Sequence, residues 1–351
     1  SLFISHGNTL LIPKSKKVRL IKNFLITVKS KGIIATFFAI KSFFIILFAN
    51  FFSKSILLKR NIFNYEMYLD PKDKGISRTL LLFGERELDH KKILEKIIKK
   101  GMKIFDIGAN IGYYVLMETT LTGNKGKILA IEPVPDNIKL LEKNLELNKN
   151  KITKTVQAAI SESSEKESFI LSSHSNLGHL VGEEISRLNL LEKKFKKKKI
   201  KVINPKIMSL RELIDKTFYP DFIRMDVEGR EIRILNNLVS LKLKKYPIVC
   251  FETHTSRYQL SHNMTKRNSN ISQMEDVLRK MFKKGYEVKL VSSSSERGSN
   301  LLKNLGYQSI IKDIKTDDVT REIFTNLSEE DAVNLICYKG GLRTVLLTKK
   351  K

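Results

Sequence analysis

Asp106, Glu132, Asp226 and Glu252 each stand at the end of an apolar run, and Glu228 and His254 follow the last two of these acids at a spacing of two residues. Carboxylates at successive strand ends can accept hydrogen bonds from hydroxyls, balance a bound cation, or take a proton when their surroundings raise their pKa. An imidazole among them suits general-base chemistry near neutral pH, so Asp226, Glu228 and His254 are the candidate catalytic groups. Asp226, Glu252 and His254 could also hold a divalent ion that acidifies a hydroxyl. Each has a plainer role too. A lone Asp-x-Glu pair is more often a helix-capping cluster, and a histidine on a polar loop is usually only solvated.

The first acid lies in Phe105-Asp106-Ile107-Gly108-Ala109-Asn110-Ile111-Gly112, and Ala130-Ile131-Glu132-Pro133 follows about 20 residues later. Gly108 lets the backbone turn closely against a ligand, and Gly112 lets the next helix approach the strand. Glu132 can accept both hydroxyls of a ribose. Pro133 and Pro135 fix the turn after it, and Asp136 is expected to cap a helix carrying Leu140, Leu141 and Leu145. This is a β-turn-α-β unit for a nucleoside, but its glycine spacing is GxxxG behind an acid, not GxGxxG. Where a dinucleotide pyrophosphate needs bare backbone at a helix N-terminus, Asp106 would repel it. An ammonium or sulfonium would be attracted instead. S-Adenosylmethionine carries both, so it is the expected cofactor, held by Asp106, Gly108, Asn110, Gly112 and Glu132. An NAD- or nucleotide-sugar-dependent enzyme, which would share the Glu132 device, stays open as an alternative. So does a non-catalytic, membrane-associated binding protein.

Strands are expected near 102–107, 127–132, 153–159, 221–226 and 247–252, and helices near 111–121, 136–148, 209–216 and 229–238. Their alternation implies an α/β fold with a doubly wound, mostly parallel sheet and helices on both faces. The sheet's carboxyl edge is where such folds bind ligands, and all four acids fall there. Residues 65–100 read as a lead-in strand, a turn at 71–75 and helices, the last opened by Asp89-His90. Residues 161–171 read as a polar hairpin. Residues 172–200, with two histidines and a lysine run at 193–199, read as a long irregular insert over the site. Segments 272–291 and 332–348 are expected to supply a further helix and the late strands. Residues 292–331 are polar and suggest no element.

The 351 residues carry a formal charge of +27. The first 65 contain eleven Lys or Arg and no acid, Glu66 being the first. A basic surface suits anionic lipid, although a lysine-rich background composition would leave the same trace. With no zinc-finger cysteine pattern or aromatic RNA-binding signature, nucleic acid is not an expected partner. Cys250 and Cys337 lie in apolar runs and read as buried thiols of a cytosolic protein. Residues 32–52 are apolar around Lys41, with seven Phe and basic flanks. Three readings stand for this segment: an interfacial helix on the cytosolic leaflet, a true span, or a helix packed on the domain. No small-residue cleavage site follows it, so it does not read as a signal peptide. The chain begins at Ser1, not Met, and its native start is expected upstream.

Taken in order, the 105–112 motif, Glu132-Pro133, Met225-Asp226-Val227-Glu228-Gly229 and Glu252-Thr253-His254 resemble the FkbM family of S-adenosylmethionine-dependent methyltransferases. Asn204-Pro205-Lys206-Ile207-Met208-Ser209-Leu210 resembles the segment that precedes that family's acidic strand. The resemblance covers roughly 102–255, and it departs at Thr253, where the family often has an apolar residue. It implies the class I methyltransferase (Rossmann-like) fold and O-methylation of a hydroxyl on a sugar, glycolipid or similar small acceptor. By the resemblance, Asp106, Gly108, Asn110 and Glu132 hold the cofactor, and Asp226, Glu228, Glu252 and His254 face the acceptor. The division that follows is a basic N-terminal arm at 1–64, a lead-in at 65–100 and a methyltransferase domain at 101–351. Cytoplasmic placement, peripheral or anchored at the cytosolic face of an anionic membrane, and a small-molecule or lipid-linked glycan acceptor complete the expectation.

Overall fold

The structure is a computed structural model that describes residues 33–51, 56–161, 168–171, 179–181, 201–254 and 264–350. A helix, α1 (Ile33–Phe51), precedes a hairpin of β1 (Leu58–Ile62) and β2 (Tyr65–Leu69) and two short helices, α2 (Ile76–Phe83) and α3 (Leu88–Ile97). Gly84, left-handed at φ 74°, ends α2, because only a residue without Cβ turns there freely. The alternating region follows: β3 (Lys103–Ile107), α4 (Tyr113–Thr122), β4 (Lys127–Ile131), α5 (Pro135–Leu147) and β5 (Thr153–Val156). After β6 (Ala159–Ile160) come β7 (Ser168–Leu171), β8 (His179–Val181) and β9 (Lys201–Ile203), then β10 (Ile207–Met208), α6 (Leu210–Lys216), β11 (Phe222–Met225), α7 (Glu231–Ser240) and β12 (Ile248–Glu252). The chain closes with α8 (Met264–Lys283), β13 (Tyr286–Ser293), α9 (Glu296–Asn304), β14 (Ser309–Thr316), β15 (Val319–Leu327), α10 (Glu329–Val333), a π-helical turn (Asn334–Lys339) and β16 (Leu342–Lys349).

Nine strands form one sheet in the order β14-β15-β13-β16-β12-β11-β3-β4-β5. The run from β12 to β5 is parallel, and β13 shares its direction because both β12 and β13 pair antiparallel with β16. The order reverses between β3 and β11, so their carboxyl ends open a crevice at the switch point. β3, β4, β11 and β12 are mostly apolar because helices cover both faces, with the Asp106–Arg224 pair as a buried charged exception. Phe105, Leu129, Ile223 and Val249 pack on the side of α6, α7 and α8. Ile104, Ile128, Phe222 and Cys250 pack on the side of α2 to α5. Each such large side chain contributes roughly 1.5–3 kcal/mol on burial, which fixes the register that aligns the four acidic strand ends.

Most of the expected elements are present within two residues of their places. Segment 153–159 divides into β5 and β6, and β6 leaves the main sheet to pair with β10. The hairpin expected over 161–171 lies later: β7 is central to a small antiparallel sheet with β8 and β9. Residues 162–167, and the insert 172–200 apart from β8, lie outside the described residues, as does the lysine run. Segment 292–331 forms α9 and the β14–β15 hairpin. Its polar texture follows from its position, since β14 is the sheet's edge and turns much of its length to solvent. Asp136 lies in the first turn of α5, while Val134 takes the N-cap position with no side-chain cap bond. Cys250 and Cys337 are buried free thiols.

Of the three readings for α1, packing on the domain is the arrangement seen on one face. Thr36, Ala39 and Ile46 are buried, and Arg60 Nη1 donates to Ser42 Oγ at 3.2 Å. Among the described residues, no helix is long and apolar enough to cross a membrane.

Candidate active site

A cavity of about 350 Å³ opens at the carboxyl ends of β3, β4, β11 and β12, a size typical of small-molecule sites. The β3–α4 turn forms one wall. Gly108, at φ +85°, lies so close to the next strand that a Cβ would stand 2.1 Å from the carbonyl oxygen of Asp226. Asn110 is also left-handed (φ 49°), and its side-chain Oδ1 accepts from the Ile111 amide at 2.9 Å. Its own amide donates to Glu132 Oε2 at 2.9 Å. Glu132 Oε1 accepts from the Val134 amide at 3.1 Å and from Asn137 at 3.0 Å. Burial lifts the Glu132 carboxyl to about 7 against the pull of these hydrogen bonds. Apolar Val134, Ala158 and Ile160 continue the wall.

Gly108, Asn110 and Glu132 therefore line the cavity, whereas Asp106 and Gly112 stand behind it. Asp106 is fully buried, and its Oδ1 accepts from Arg224 Nη1 at 2.8 Å. Arg224 sits opposite Asp106 in the β3–β11 register, also reaches Asp226 at 3.4 Å, and stacks on Tyr114 with 3.8 Å from its guanidinium carbon to the ring centre. Beside this group, Glu118 is buried with no hydrogen-bond partner on either oxygen among the described residues, and burial, with the Asp106 charge adding, raises its carboxyl well above the usual range. Gly112 (φ +92°) admits Leu141 of α5, whose Cδ1 would lie 2.6 Å from a Cβ. Both residues shape the turn from outside the cavity.

The other wall gathers the expected catalytic groups. His254 Nε2 lies 3.4 Å from Glu252 Oε1, 3.6 Å from Glu228 Oε2 and 4.0 Å from Asp226 Oδ1. Glu228 reaches this point through a left-handed turn (φ 54°) followed by Gly229 at φ +101°. On the other side of the ring, Nδ1 bonds Glu231 Oε1 at 3.0 Å. Glu231 is wholly buried, and the same oxygen accepts from the Val227 and Gly229 amides at 3.3 Å each. Burial disfavours charge on the imidazole, but the Glu231 charge and hydrogen bond, with Glu252 adding, outweigh it and raise His254 to about 11. At neutral pH the ring is thus an imidazolium. Glu252 is raised to about 7 by burial and by Asp226, with Arg343 opposing.

Arg343 of β16 ties Glu252 to Glu87, donating to Glu87 Oε1 at 2.7 Å. Glu87 also takes Arg86 and the Tyr114 hydroxyl as partners. The β14–β15 turn holds this segment, since Asp317 accepts from the Glu87 amide at 3.2 Å and Thr316 Oγ1 from the Leu88 amide at 3.1 Å. Arg321 completes the clasp with 2.7 Å to Asp89. Glu231, Arg224, Arg343 and Arg86 are the residues that motif reading passed over. Glu231 had a signal in its place three residues after Glu228, and Arg224 had one as a charge inside an apolar strand. Arg343 has none, being brought to Glu252 only by β16.

The residues fit S-adenosylmethionine. The Glu132 carboxylate adjoins an apolar slot of Val134, Ala158 and Ile160, and Gly108 and Asn110 line the same cavity. Two acids and the imidazole also fit a divalent ion by donor type: single ligand atoms of Asp226, Glu228 and His254 lie within 4.8 Å of one another, with Glu228 in the place expected for Glu252.

The Methyltransferase FkbM domain family matches residues 106–288, just over half of the 351-residue chain. A stretch of 54 residues is 32% identical to Protein-L-isoaspartate O-methyltransferase 1 of Arabidopsis thaliana, covering 15% of this chain and 24% of that protein. The chain thus spans about a quarter of the length of this curated relative. Methyltransferase FkbM from Methylobacillus flagellatus KT is 14% identical in its solved structure, covering 71% of this chain and 52% of that one, with a TM-score of 0.33. TYW2 of M. jannaschii in complex with AdoMet is 12% identical over 85% of this chain and 89% of that one, with a TM-score of 0.39. With the family matched from Asp106 across the site and into β13, the chain belongs to the FkbM methyltransferases, S-adenosylmethionine-dependent enzymes of the class I fold.

Proposed function

We propose that the enzyme O-methylates a hydroxyl of a sugar, glycolipid or similar small acceptor. The observation that carries this reading is the meeting of Asp226, Glu228, Glu252 and the His254 Nε2 in the cavity that Glu132 also lines. Such a cluster can grip a polyol by several hydrogen bonds and take one proton from it. When bound, S-adenosylmethionine supplies a methyl group already activated by its sulfonium. The protein's task is then to hold an acceptor oxygen in line and receive its proton. Glu132 and Asn110 orient the nucleoside end. Asp226 or Glu252 takes the hydroxyl proton as the new O–C bond forms. His254, kept charged by Glu231, serves as a hydrogen-bond donor to the acceptor and not as the base expected from its residue type. A lipid-linked glycan at the cytosolic face of a membrane is the acceptor form that the acid-free basic arm favours.

The test is transfer of a labelled methyl group to a panel of glycan acceptors by wild type, Asp226→Asn and Glu252→Gln. Removing the base is expected to cost about 10²–10⁴-fold in kcat. Wild-type rates in both variants would show the acceptor site to be elsewhere.

A second reading places a divalent ion among Asp226, Glu228 or Glu252, and His254, favoured by the closeness of the ligand atoms. We propose the metal-free form, in which the imidazole and the acids around its Nε2 partner one another. Transfer is expected to survive exhaustive dialysis against a chelator. A loss that magnesium restores would favour the ion.

A further inference from the structure

The face of α1 turned away from the domain carries Ile33, Phe37, Ile40, Phe44 and Phe48, spaced three and four residues apart so that they form one stripe. The four outermost are 63–76% exposed. The stripe runs roughly 22 Å along the helix at 1.5 Å per residue. Helices apolar on all sides are normally buried on all sides, yet among the described residues only Thr36, Ala39 and Ile46 of this one are buried against the domain. Lys41 is exposed beside the stripe.

Charge identifies the occupant. The first 65 residues hold eleven cations and no acid, so a second copy of this arm would bring like charge against like. An anionic lipid surface supplies both the negative headgroups and the apolar layer beneath them. We propose that this face of α1 is a docking surface for an anionic lipid bilayer, with the helix lying along the boundary between headgroups and acyl chains. Ser42 stays tied to Arg60 and the inner face stays on α2, so docking requires no rearrangement of the domain. Ile76, the first residue of α2, lines the active-site cavity. The lipid surface would therefore lie one helix away from the acceptor. The inference deepens the proposed function by naming the surface that presents the acceptor, but its readout is binding, so it can fail while methyl transfer stands.

The experiment is flotation of the full chain with vesicles of phosphatidylcholine alone or with phosphatidylglycerol added. Binding is expected only with the anionic lipid, weakening as salt rises. Phe37→Ser/Phe44→Ser/Phe48→Ser is expected to weaken it at least about tenfold, with S-adenosylmethionine binding unchanged as the check that the domain is folded. The chain has no tryptophan, so Phe44→Trp provides a single fluorophore, whose emission is expected to shift to the blue on anionic vesicles. A chain that stays free of anionic vesicles, or indole emission of the Phe44→Trp variant unchanged by bound vesicles, would overturn the proposal. So would a wild-type dimer that the triple variant disperses, since a second copy would then cover the face.

Discussion

Glu231 and His254 illustrate how a neighbour sets what a side chain can do. One buried Glu231 oxygen receives the imidazole and two amides of the Asp226–Gly229 turn, so the ring and the turn are fixed by the same atom. The charge it supplies keeps His254 protonated to about 11, while Glu252 titrates at about 7. With a carboxylate as base, kcat/KM is expected to rise through about pH 7 as Glu252 ionises, and to fall only near 11 as His254 loses its proton. If His254 were the base, activity would keep climbing toward 11. Glu231→Gln removes the charge that favours the imidazolium, so the falling limb should move down toward the ordinary histidine value near 6.5, with a loss of about 10–100-fold in rate. An unshifted limb in a pH profile of that variant would contradict the assignment. The acids were readable in the sequence because each ends an apolar run. Their division of labour was not, because it depends on partners such as Arg224 and Arg343 that only the folded sheet brings together. Asp106 is the clearest instance: its place at a strand end pointed to a ligand, and its Oδ1 is bonded to the buried Arg224 behind the cavity lining.

The β3–α4 turn is the element on which the cofactor wall depends. Gly108 is required twice over, by its φ of +85° and by the Asp226 carbonyl where a Cβ would fall. Gly108→Ala must therefore move β3 and β11 apart at the switch point. The left-handed strain alone costs on the order of 1–3 kcal/mol. A fall in melting temperature together with weaker S-adenosylmethionine binding in calorimetry is expected, and a variant equal to wild type in both would refute the close approach. The parallel strands and their helices were legible because burial on two faces forces continuous apolar runs. The β14–β15 hairpin was hidden for the opposite reason: an edge strand half open to water needs no apolar pattern. That hairpin nonetheless holds Glu87, and through Arg343 it reaches Glu252, so the least legible segment supports the candidate base.

Across the whole molecule, charge and apolar surface are separated by function. In a chain of net charge +27 the cavity matches four acids, Glu132, Asp226, Glu228 and Glu252, with four arginines, Arg86, Arg224, Arg230 and Arg343, while the N-terminal arm before Glu66 has no acid. The fold class followed from strand-helix alternation and the family from the order of its acidic motifs. The acceptor is set by the shape and hydrogen bonds of a cavity assembled from distant segments, which no local pattern records. The most direct measurement is to incubate the full chain with S-adenosylmethionine carrying an isotopically labelled methyl group and an extract of cell-envelope glycans, then locate the label by mass spectrometry and NMR. The label is expected on a sugar oxygen, adding the mass of one CH₂ per acceptor, and its transfer should slow at least about 10²-fold in Asp226→Asn/Glu252→Gln. Label on nitrogen or carbon, or on oxygen at an undiminished rate in that double variant, would contradict the account.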